Sequence, residues 1–280
     1  ITILLTLGVV RGLDEQPAFG WLPTEPLRVK TFDLYQRILP RQSDARPVVI
    51  VDIDEKSLTE LGQWPWPRNL IAQMVNNLAK MNAAVVGFDV LFVEPDRMSP
   101  DLYVNSTPNI PKDVAATLKK MPSNDRMLAI AVKRSRTVLG QAAIDEVIEG
   151  RAKPPKATRV AFRNGDPRQY LRTFKGVSGN IPILSNNANG IGMVTITPEG
   201  DGVVRRVGAV LQIGKKVYPS LSLEMLRLAY GQKAYIINSA KKGTGLTGIQ
   251  DIRFQTKPKP YIIPTDPQGR IPVHFRPHDP

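Results

Sequence analysis

The chain has 280 residues, of which 42% are hydrophobic, so it is long enough to fold as one large globular domain or two ordinary ones. Its formal net charge of +13 would suit nucleic acid, anionic lipid or an acidic solute. No nucleic-acid-binding motif accompanies that charge and only 6% of the residues are aromatic, so we expect no nucleic-acid partner. The absence of cysteine excludes disulfide bonds, thiol catalysis and thiolate metal sites.

The chain begins with an apolar run, ITILLTLGVV at residues 1–10, followed directly by Arg11. A run of this length cannot cross a bilayer, which requires about 20 residues, but it shows no regular polar alternation. The pattern therefore favours the remnant of an N-terminal transmembrane helix at residues 1–12. The alternative is an amphipathic or buried segment that packs on the domain.

A strand, helix, strand unit is predicted in the first third of the chain. After a helix over Leu27–Leu39, the β-branched run at Pro47–Ile53 is typical of a strand buried on both faces of a sheet. Apolar residues at helical spacing predict a helix over Arg68–Lys80, and a second apolar run predicts a strand at Ala84–Phe92. A right-handed crossover would make the two strands parallel neighbours.

Acidic residues lie at the carboxyl ends of both predicted strands, which is the edge where α/β sheets bind ligands. They are Asp52, Asp54, Glu55, Asp89, Glu94 and Asp96. If they converge, they could hold the cationic part of a ligand or a divalent cation, with Asp52, Asp54 and Asp89 as the metal ligands. The alternative is that Arg68 and Arg205 neutralise them and the group only fastens loops to the sheet.

The segment Trp64-Pro65-Trp66-Pro67-Arg68 lies at the same predicted edge. Indoles held by prolines would form a stiff apolar wall, and we expect at least one of them to cover the core. Arg68 begins the helix, where its charge gains nothing from the helix dipole, so it is better explained by pairing with a carboxylate or an anionic ligand.

The rest of the chain predicts further helices, strands and a basic insertion. Residues 151–175 carry eight Lys or Arg against one acid, and we interpret them as an exposed insertion or mobile flap. The predicted elements are helices at Asp113–Lys120, 123–135 and Ser220–Tyr230, and strands at Val138–Ala143, 192–197, 203–213, Ile249–Gln255 and Arg270–Phe275. The sequence thus indicates an α/β fold with a mostly parallel central sheet flanked by helices and a more antiparallel C-terminal portion.

The turn around Asp201 and Gly202 leads into Arg205 and Arg206, which a strand would place on opposite faces. We expect one of these arginines to point inward and pair with the acidic group, and the other to meet water. The glycines at 243, 245 and 248 match a phosphate-loop spacing, but a strand follows them, so a hairpin or flexible loop is expected. The two histidines have no matching ligand set, and we expect no catalysis by this chain.

Five blocks follow one another in the sequence: VVIVDIDEKSLTELGQWPWPR, AAVVGFDVLFVEPD, GDGVVRRVGAV, YPSLSLEMLRLAYG and IPTDPQGRIPVHF. In this order they resemble the type-two CHASE domain, an extracytoplasmic sensory module of bacterial membrane receptors. The resemblance implies that residues 13–280 are the periplasmic sensory domain of a protein of the bacterial inner membrane. Because the family continues beyond the position of Pro280, it also implies that the domain is incomplete at its C-terminus.

The resemblance further implies membrane helices on both sides of the sensor and a cytoplasmic output domain. That output is a class III adenylate or guanylate cyclase, or otherwise a histidine kinase, a serine/threonine kinase or a diguanylate cyclase. Cyclases of that class form their site between two subunits, which implies a homodimer. ATP and magnesium are expected only in that output domain, and no cofactor in this region.

The family brings no established ligand, so an unidentified small molecule or ion is expected at the positions that match its blocks. The candidate ligand-binding residues are Asp52, Asp54, Trp64, Pro65, Arg68, Asp89, Asp96, Asp201, Gly202 and Arg205. Their alternative role is to determine the fold. Other functions remain open: a soluble protein that recruits an anionic partner through the basic insertion, or a metal-dependent hydrolase that uses the acidic group.

Overall fold

The structure is a computed structural model, and it describes residues 24–40, 47–147 and 157–275. The chain divides into two compact units, residues 1–52 with 273–280, and residues 53–272. The predicted transmembrane remnant at 1–12 lies outside the described residues. Within them, the structure has no helix that is both long and apolar enough to span a membrane.

The helices and strands are numbered in chain order. They are α1 (Thr24–Ile38), α2 (Glu55–Leu61), α3 (Arg68–Lys80), β1 (Val86–Phe88), α4 (Pro100–Ser106), α5 (Lys112–Lys120), α6 (Asn124–Arg134), β2 (Thr137–Ile144), β3 (Arg159–Arg163), β4 (Thr173–Phe174), β5 (Gly176–Ser178), α7 (Pro182–Ser185), β6 (Gly190–Met193), β7 (Arg206–Gly208), β8 (Val210–Ile213), β9 (Lys216–Pro219), α8 (Leu221–Ala229), β10 (Ala234–Ser239), β11 (Ile249–Phe254), β12 (Tyr261–Pro264) and β13 (Arg270–Pro272). A 3-10 helical turn covers Pro167–Tyr170.

The smaller unit contains α1, which ends just before Pro40, as the sequence predicts. The side-chain amide nitrogen of Gln36 donates to the carbonyl oxygen of Val273 at 3.2 Å and lies 3.1 Å from Nδ1 of His274. These contacts join the helix to a segment more than 230 residues away in the chain, within the same unit.

The strand predicted at Pro47–Ile53 does not form, and this expectation is wrong. The side chains of Val48–Val51 are between 56% and 87% exposed. A β-branched run favours a strand, but a strand exists only where a neighbouring backbone completes its hydrogen bonds. In the described parts of the chain, no segment pairs with these residues.

The larger unit confirms most of the other elements. Helix α3 has the predicted bounds, and its apolar face packs against α6. Ile71 and Val75 of α3 join Leu128 and Val132 of α6 in one core cluster, each at most 2% exposed. The predicted strands at Ala84–Phe92 and Val138–Ala143 correspond to the shorter β1 and the slightly longer β2.

The parallel part of the first sheet is built around β2. Strand β1 pairs with β2 in parallel, Val86 opposite Thr137, and β6 also pairs with β2 in parallel. Strand β5 adds to the last residues of β2 in the antiparallel direction. The α/β class is therefore confirmed, but the parallel neighbour of β1 is β2 and not the segment at Pro47–Ile53.

The second sheet has the order β12-β11-β10-β3 and includes part of the basic stretch. Strand β3 pairs in parallel with β10, from Arg159 opposite Ala234 to Arg163 opposite Asn238. The interpretation of 151–175 as a flap is therefore wrong for this strand, because ladder hydrogen bonds hold its backbone. Residues 151–156 lie outside the described residues. The glycine-rich segment joins antiparallel β10 and β11 as a hairpin, as expected.

Asp251 on β11 is held by its neighbours on this sheet. Its carboxylate accepts from Asn238 Nδ2 at 2.9 Å and from Arg253 Nη2 at 2.7 Å. Burial favours the neutral carboxyl, but the hydrogen bonds from Arg253 and Asn238 outweigh it and lower the pKa of Asp251.

Helix α8 approaches the first sheet closely at β6. A Cβ atom placed on Gly192 would lie 2.4 Å from the Cα of Leu221. Only glycine at this position allows the start of the helix to lie so near the strand.

The smaller sheets complete the fold. Strands β4, β8 and β9 form one sheet, and β7 pairs with β13. Phe174 of β4 and Tyr218 of β9 lie in a core cluster together with Ala143 near the end of β2.

Candidate functional site

Asp96 provides the missing cap of helix α3. The N-cap residue is Pro67, whose side chain has no acceptor, and Asp96 Oδ2 accepts from the backbone N–H of Arg68 at 2.8 Å. The same oxygen accepts from Asn124 Nδ2 at 2.8 Å. Asp96 therefore ties its loop to the first residues of both α3 and α6, where a negative charge is favourable.

The Arg68 side chain lies in the same network. Its Nη1 pairs with Asp125 Oδ1 at 3.0 Å and its Nη2 donates to the carbonyl oxygen of Glu94 at 2.7 Å. The guanidinium carbon also lies 4.7 Å from the centre of the Phe92 ring. The side chains of Arg68 and Asp125 are 12% and 10% exposed, so the pair is largely removed from water.

Burial shifts both members of this pair toward their neutral forms. It lowers the pKa of Arg68, against the opposing effect of the carboxylates of Asp125 and Asp96. It raises the pKa of Asp125, against the hydrogen bond from the Asp96 backbone N–H and the charge of Arg68. Each charge therefore depends on the other to offset its loss of water.

The prediction that Arg68 pairs with a carboxylate is confirmed, but sequence reasoning missed Asp125 as the partner. A signal existed: Ser123 is an N-cap whose Oγ accepts from the Arg126 N–H, and Asp125 follows it in the first helical turn. That position is explained equally well by the helix dipole, so it did not point to Arg68.

A second network surrounds Arg205, which is 5% exposed. Its two terminal nitrogens donate to the two carboxylate oxygens of Asp201, each at 2.8 Å. Its Nη1 also lies 3.4 Å from Glu199 Oε2, and Glu199 Oε1 accepts from Arg206 Nε at 2.6 Å. A bidentate pair of this geometry is the strongest form that an arginine offers to a carboxylate.

The network continues through Asp266. Its Oδ2 accepts from Arg270 Nε at 2.7 Å and lies 3.7 Å from Arg206 Nη1. Three arginines and three carboxylates thus alternate and balance in charge: Asp201, Arg205, Glu199, Arg206, Asp266 and Arg270. They fasten the turn at residues 199–203 to strands β7 and β13.

Two expectations about Arg205 and Arg206 are wrong. Strand β7 begins at Arg206, so the alternation of a strand does not separate the two side chains. Arg206 does not meet water, since its side chain is 16% exposed, and Arg205 pairs with Asp201 and Glu199 of its own turn. The sequence suggested Glu199 and Asp266 only as turn residues, because they lie in the segments Pro198–Gly202 and Asp266–Gly269, whose Gly, Pro and Asp residues are typical of turns.

The acidic candidates that are not members of these two networks are Asp52, Asp54 and Asp89. Asp54 caps α2, and its Oδ1 accepts from the N–H and hydroxyl of Ser57 at 2.8 and 2.6 Å. These hydrogen bonds lower the pKa of Asp54. Asp52 and Asp89 are exposed.

The Trp-Pro segment confirms the expectation for one of its indoles. Trp66 is 7% exposed and its Nε1 donates to the Gly62 carbonyl at 2.7 Å, whereas Trp64 is 37% exposed. The two rings meet edge to face with centres 5.8 Å apart. Trp66 therefore covers the core, and Trp64 keeps a face available at the surface.

Four of the candidate residues lie in two ionic networks. The structure brings Arg68 together with Asp96, and Asp201 together with Arg205. In the described ranges it forms no group of three or more His, Asp or Glu side chains that could hold a metal ion, so it gives no support to a site at Asp52, Asp54 and Asp89. The pairing of Arg68, Asp96, Asp201 and Arg205 supports a role in holding loops. The role of the candidate residues in ligand binding stays a prediction.

The fold defines a domain of the α/β class, and folds of this class host many functions. A comparison with protein families narrows the choice, because residues 2–280 match the model of the CHASE2 domain. The chain belongs to the CHASE2 family, which is a family of extracellular sensory domains. No curated protein and no solved structure matches the sequence at a significant level.

Proposed function

We propose that this domain is the periplasmic input domain of a transmembrane receptor in the bacterial inner membrane, and that it regulates a cytoplasmic class III nucleotide cyclase. The observation that carries the proposal is the CHASE2 match over residues 2–280. The alternative output domains are a histidine kinase, a serine/threonine kinase and a diguanylate cyclase. ATP and magnesium would act in the output domain.

The input domain signals only if its ligand binds two conformations with different affinities. Within unit 53–272, the alternating charges from Asp201 to Arg270 connect a turn to strands β7 and β13. Most of these side chains are removed from water and one pair is bidentate, so a change of state that moves this turn would have to break or exchange charge-assisted hydrogen bonds.

We also propose that the receptor works as a homodimer, because a class III cyclase builds its site from two subunits. A signal would then act by changing the geometry of two neighbouring chains. Cross-linking of the full-length receptor in membranes tests this proposal, since a receptor that is monomeric with an active cyclase contradicts it.

The topology is tested by fusing alkaline phosphatase, which is active only outside the cytoplasm, to this region of the full-length protein. A matched fusion to a reporter that is active only in the cytoplasm serves as the control. We expect phosphatase activity from the first fusion and silence from the second. The reverse pattern would place the domain in the cytoplasm and overturn the proposal.

The output is tested by expressing the full-length receptor and measuring its products in isolated membranes. We expect a cyclic mononucleotide from ATP or GTP with magnesium. Formation of cyclic di-GMP or phosphorylation of the receptor would transfer the sensory role to one of the other outputs. If an intact, membrane-inserted receptor shows none of these activities, that result contradicts an enzymatic output.

A further inference from the structure

The structure places an open cleft at a sheet edge that none of the candidate residues above occupies. Strands β2 and β6 are parallel neighbours, Gln141 opposite Met193, so their carboxyl ends lie side by side. Ligands of α/β sheets bind outside this edge. The cleft there has a volume of about 640 Å³, which suits a small molecule.

Arg172 is held in a defined orientation on one wall of the cleft. Its Nη1 donates to Thr197 Oγ1 at 2.8 Å, and its guanidinium carbon lies 4.8 Å from the centre of the Phe174 ring. Phe174 is 2% exposed, so the ring that supports the guanidinium is fixed in the core. The Arg172 side chain is nevertheless 46% exposed and can be reached by a ligand.

A carboxylate pairs with Arg172 just after the end of β2. Asp145 Oδ2 lies 3.2 Å from Arg172 Nη2, with the aspartate side chain 64% exposed, and the exposed Glu146 follows it in the cleft wall. An ion pair as exposed as this one contributes little to stability, so a ligand can replace either partner.

The balance of charge in the lining selects the type of ligand. One cation and two carboxylates line the cleft, so a ligand of a single charge can pair with only one of these two kinds of group. A ligand that carries both charges leaves neither unpaired. Apolar surface from Ile144 and Ile196 lies beside these charges in the same lining.

We propose that this cleft binds a small zwitterion, an α-amino acid with an apolar side chain. The carboxylate of the ligand pairs with the guanidinium of Arg172, and its ammonium group pairs with Asp145 and Glu146. Its apolar side chain packs against Ile144 and Ile196. That this binding event is the receptor's signal rests on the proposed sensory function. The binding itself concerns the domain alone.

The test is calorimetric titration of the chain with leucine and with two analogues of the same shape, isoamylamine, which lacks the carboxylate, and isocaproate, which lacks the ammonium. We expect leucine to bind and each analogue to bind at least tenfold more weakly, since each loses its charge-assisted hydrogen bonds. Equal binding of either analogue, or no binding of leucine, valine or phenylalanine, overturns the proposal.

The variants Arg172→Gln and Asp145→Asn locate the site. Both residues are well exposed, so the variants are expected to fold, which thermal unfolding verifies. Each should weaken leucine binding at least tenfold, while Arg97→Gln, which removes an exposed pair with Glu94, leaves it unchanged. Unchanged binding in Arg172→Gln would place the ligand elsewhere. If the periplasmic reporter fails and leucine still binds, the topology is refuted and the proposed cleft stands. If the reporter is active and leucine does not bind, the proposed cleft is refuted and the topology stands.

Discussion

Replacing Arg68 with methionine tests whether the buried ion pair stabilises the fold. The substitution keeps much of the apolar stem and removes the guanidinium. Asp125 then loses its partner at 3.0 Å, although its side chain is only 10% exposed. Glu94 also loses the donor that reaches its carbonyl oxygen at 2.7 Å.

Removing one partner of a buried pair costs about 3–5 kcal/mol of the free energy of unfolding, because the remaining charge is left without compensation. Asp125 keeps the hydrogen bond from the Asp96 backbone N–H at 3.1 Å. We therefore expect the lower end, about 3 kcal/mol. In the double variant with Asp125→Asn, no charge is left unpaired, so the loss should be smaller than in Arg68→Met alone.

The assay is urea unfolding of the chain, with Arg97→Met as the matched control. Arg97 pairs with Glu94 at 3.1 Å, but the two side chains are 87% and 67% exposed, and such a pair contributes about 0–1 kcal/mol. If Arg68→Met and Arg97→Met unfold within about 0.5 kcal/mol of each other, the burial argument is refuted. A purely ligand-binding role for Arg68 predicts that result.

Three further predictions concern the sheet, the exposed segment and a close approach. The pKa of Asp251 is lowered on folding, so its contribution to stability is complete above its ordinary value of 3.8 and is lost as the pH falls through the folded value. In urea unfolding, the advantage of the wild type over Asp251→Asn should shrink on acidification, and a constant difference contradicts the shift. Ile50→Ala should change the free energy of unfolding by less than about 0.5 kcal/mol, whereas Ile71→Ala should cost about 2–5 kcal/mol, because the side chains are 87% and 2% exposed. Comparable losses would show that the segment around Ile50 is buried in the protein. Gly192→Ala should cost about 1–3 kcal/mol by overpacking, measured by thermal unfolding against Gly200→Ala, where a Cβ meets nothing within 4 Å. Equal melting temperatures would refute the close approach.

Local patterns predicted the longer helices α3 and α6, but not the short helices α2 and α4. The bounds of α3 follow from its single apolar face, and α6 begins where Ser123 offers its N-cap oxygen. Both signals are short in range, since a helix completes its own hydrogen bonds along the chain.

Strand pairing was harder to predict. The run at Val48–Val51 has a stronger strand pattern than β1, yet only β1 is paired. A strand requires a partner, and the partner is chosen by the whole chain. The predicted ligand edge failed for the same reason, because it assumed that the run at Pro47–Ile53 lay beside β1.

The candidate charges show a similar division. Sequence reasoning selected Arg68 from a helix start, Asp96 from the end of a predicted strand, and Asp201 and Arg205 from a turn, and all of them lie in ionic networks. It missed Asp125, which lies 57 positions along the chain from Arg68. Such pairs depend on how helices pack and have no spacing of their own in the sequence.

The sequence alone determined the α/β class, the helix starts, the glycine turns and the family, because each depends on residue order over short spans or on whole-chain similarity. The tertiary structure decided which strands are neighbours, which arginine meets which carboxylate, and where a cleft opens beside Arg172. Those properties arise from contacts between segments far apart in the chain, whose burial and electrostatic energies exist only after the chain has packed.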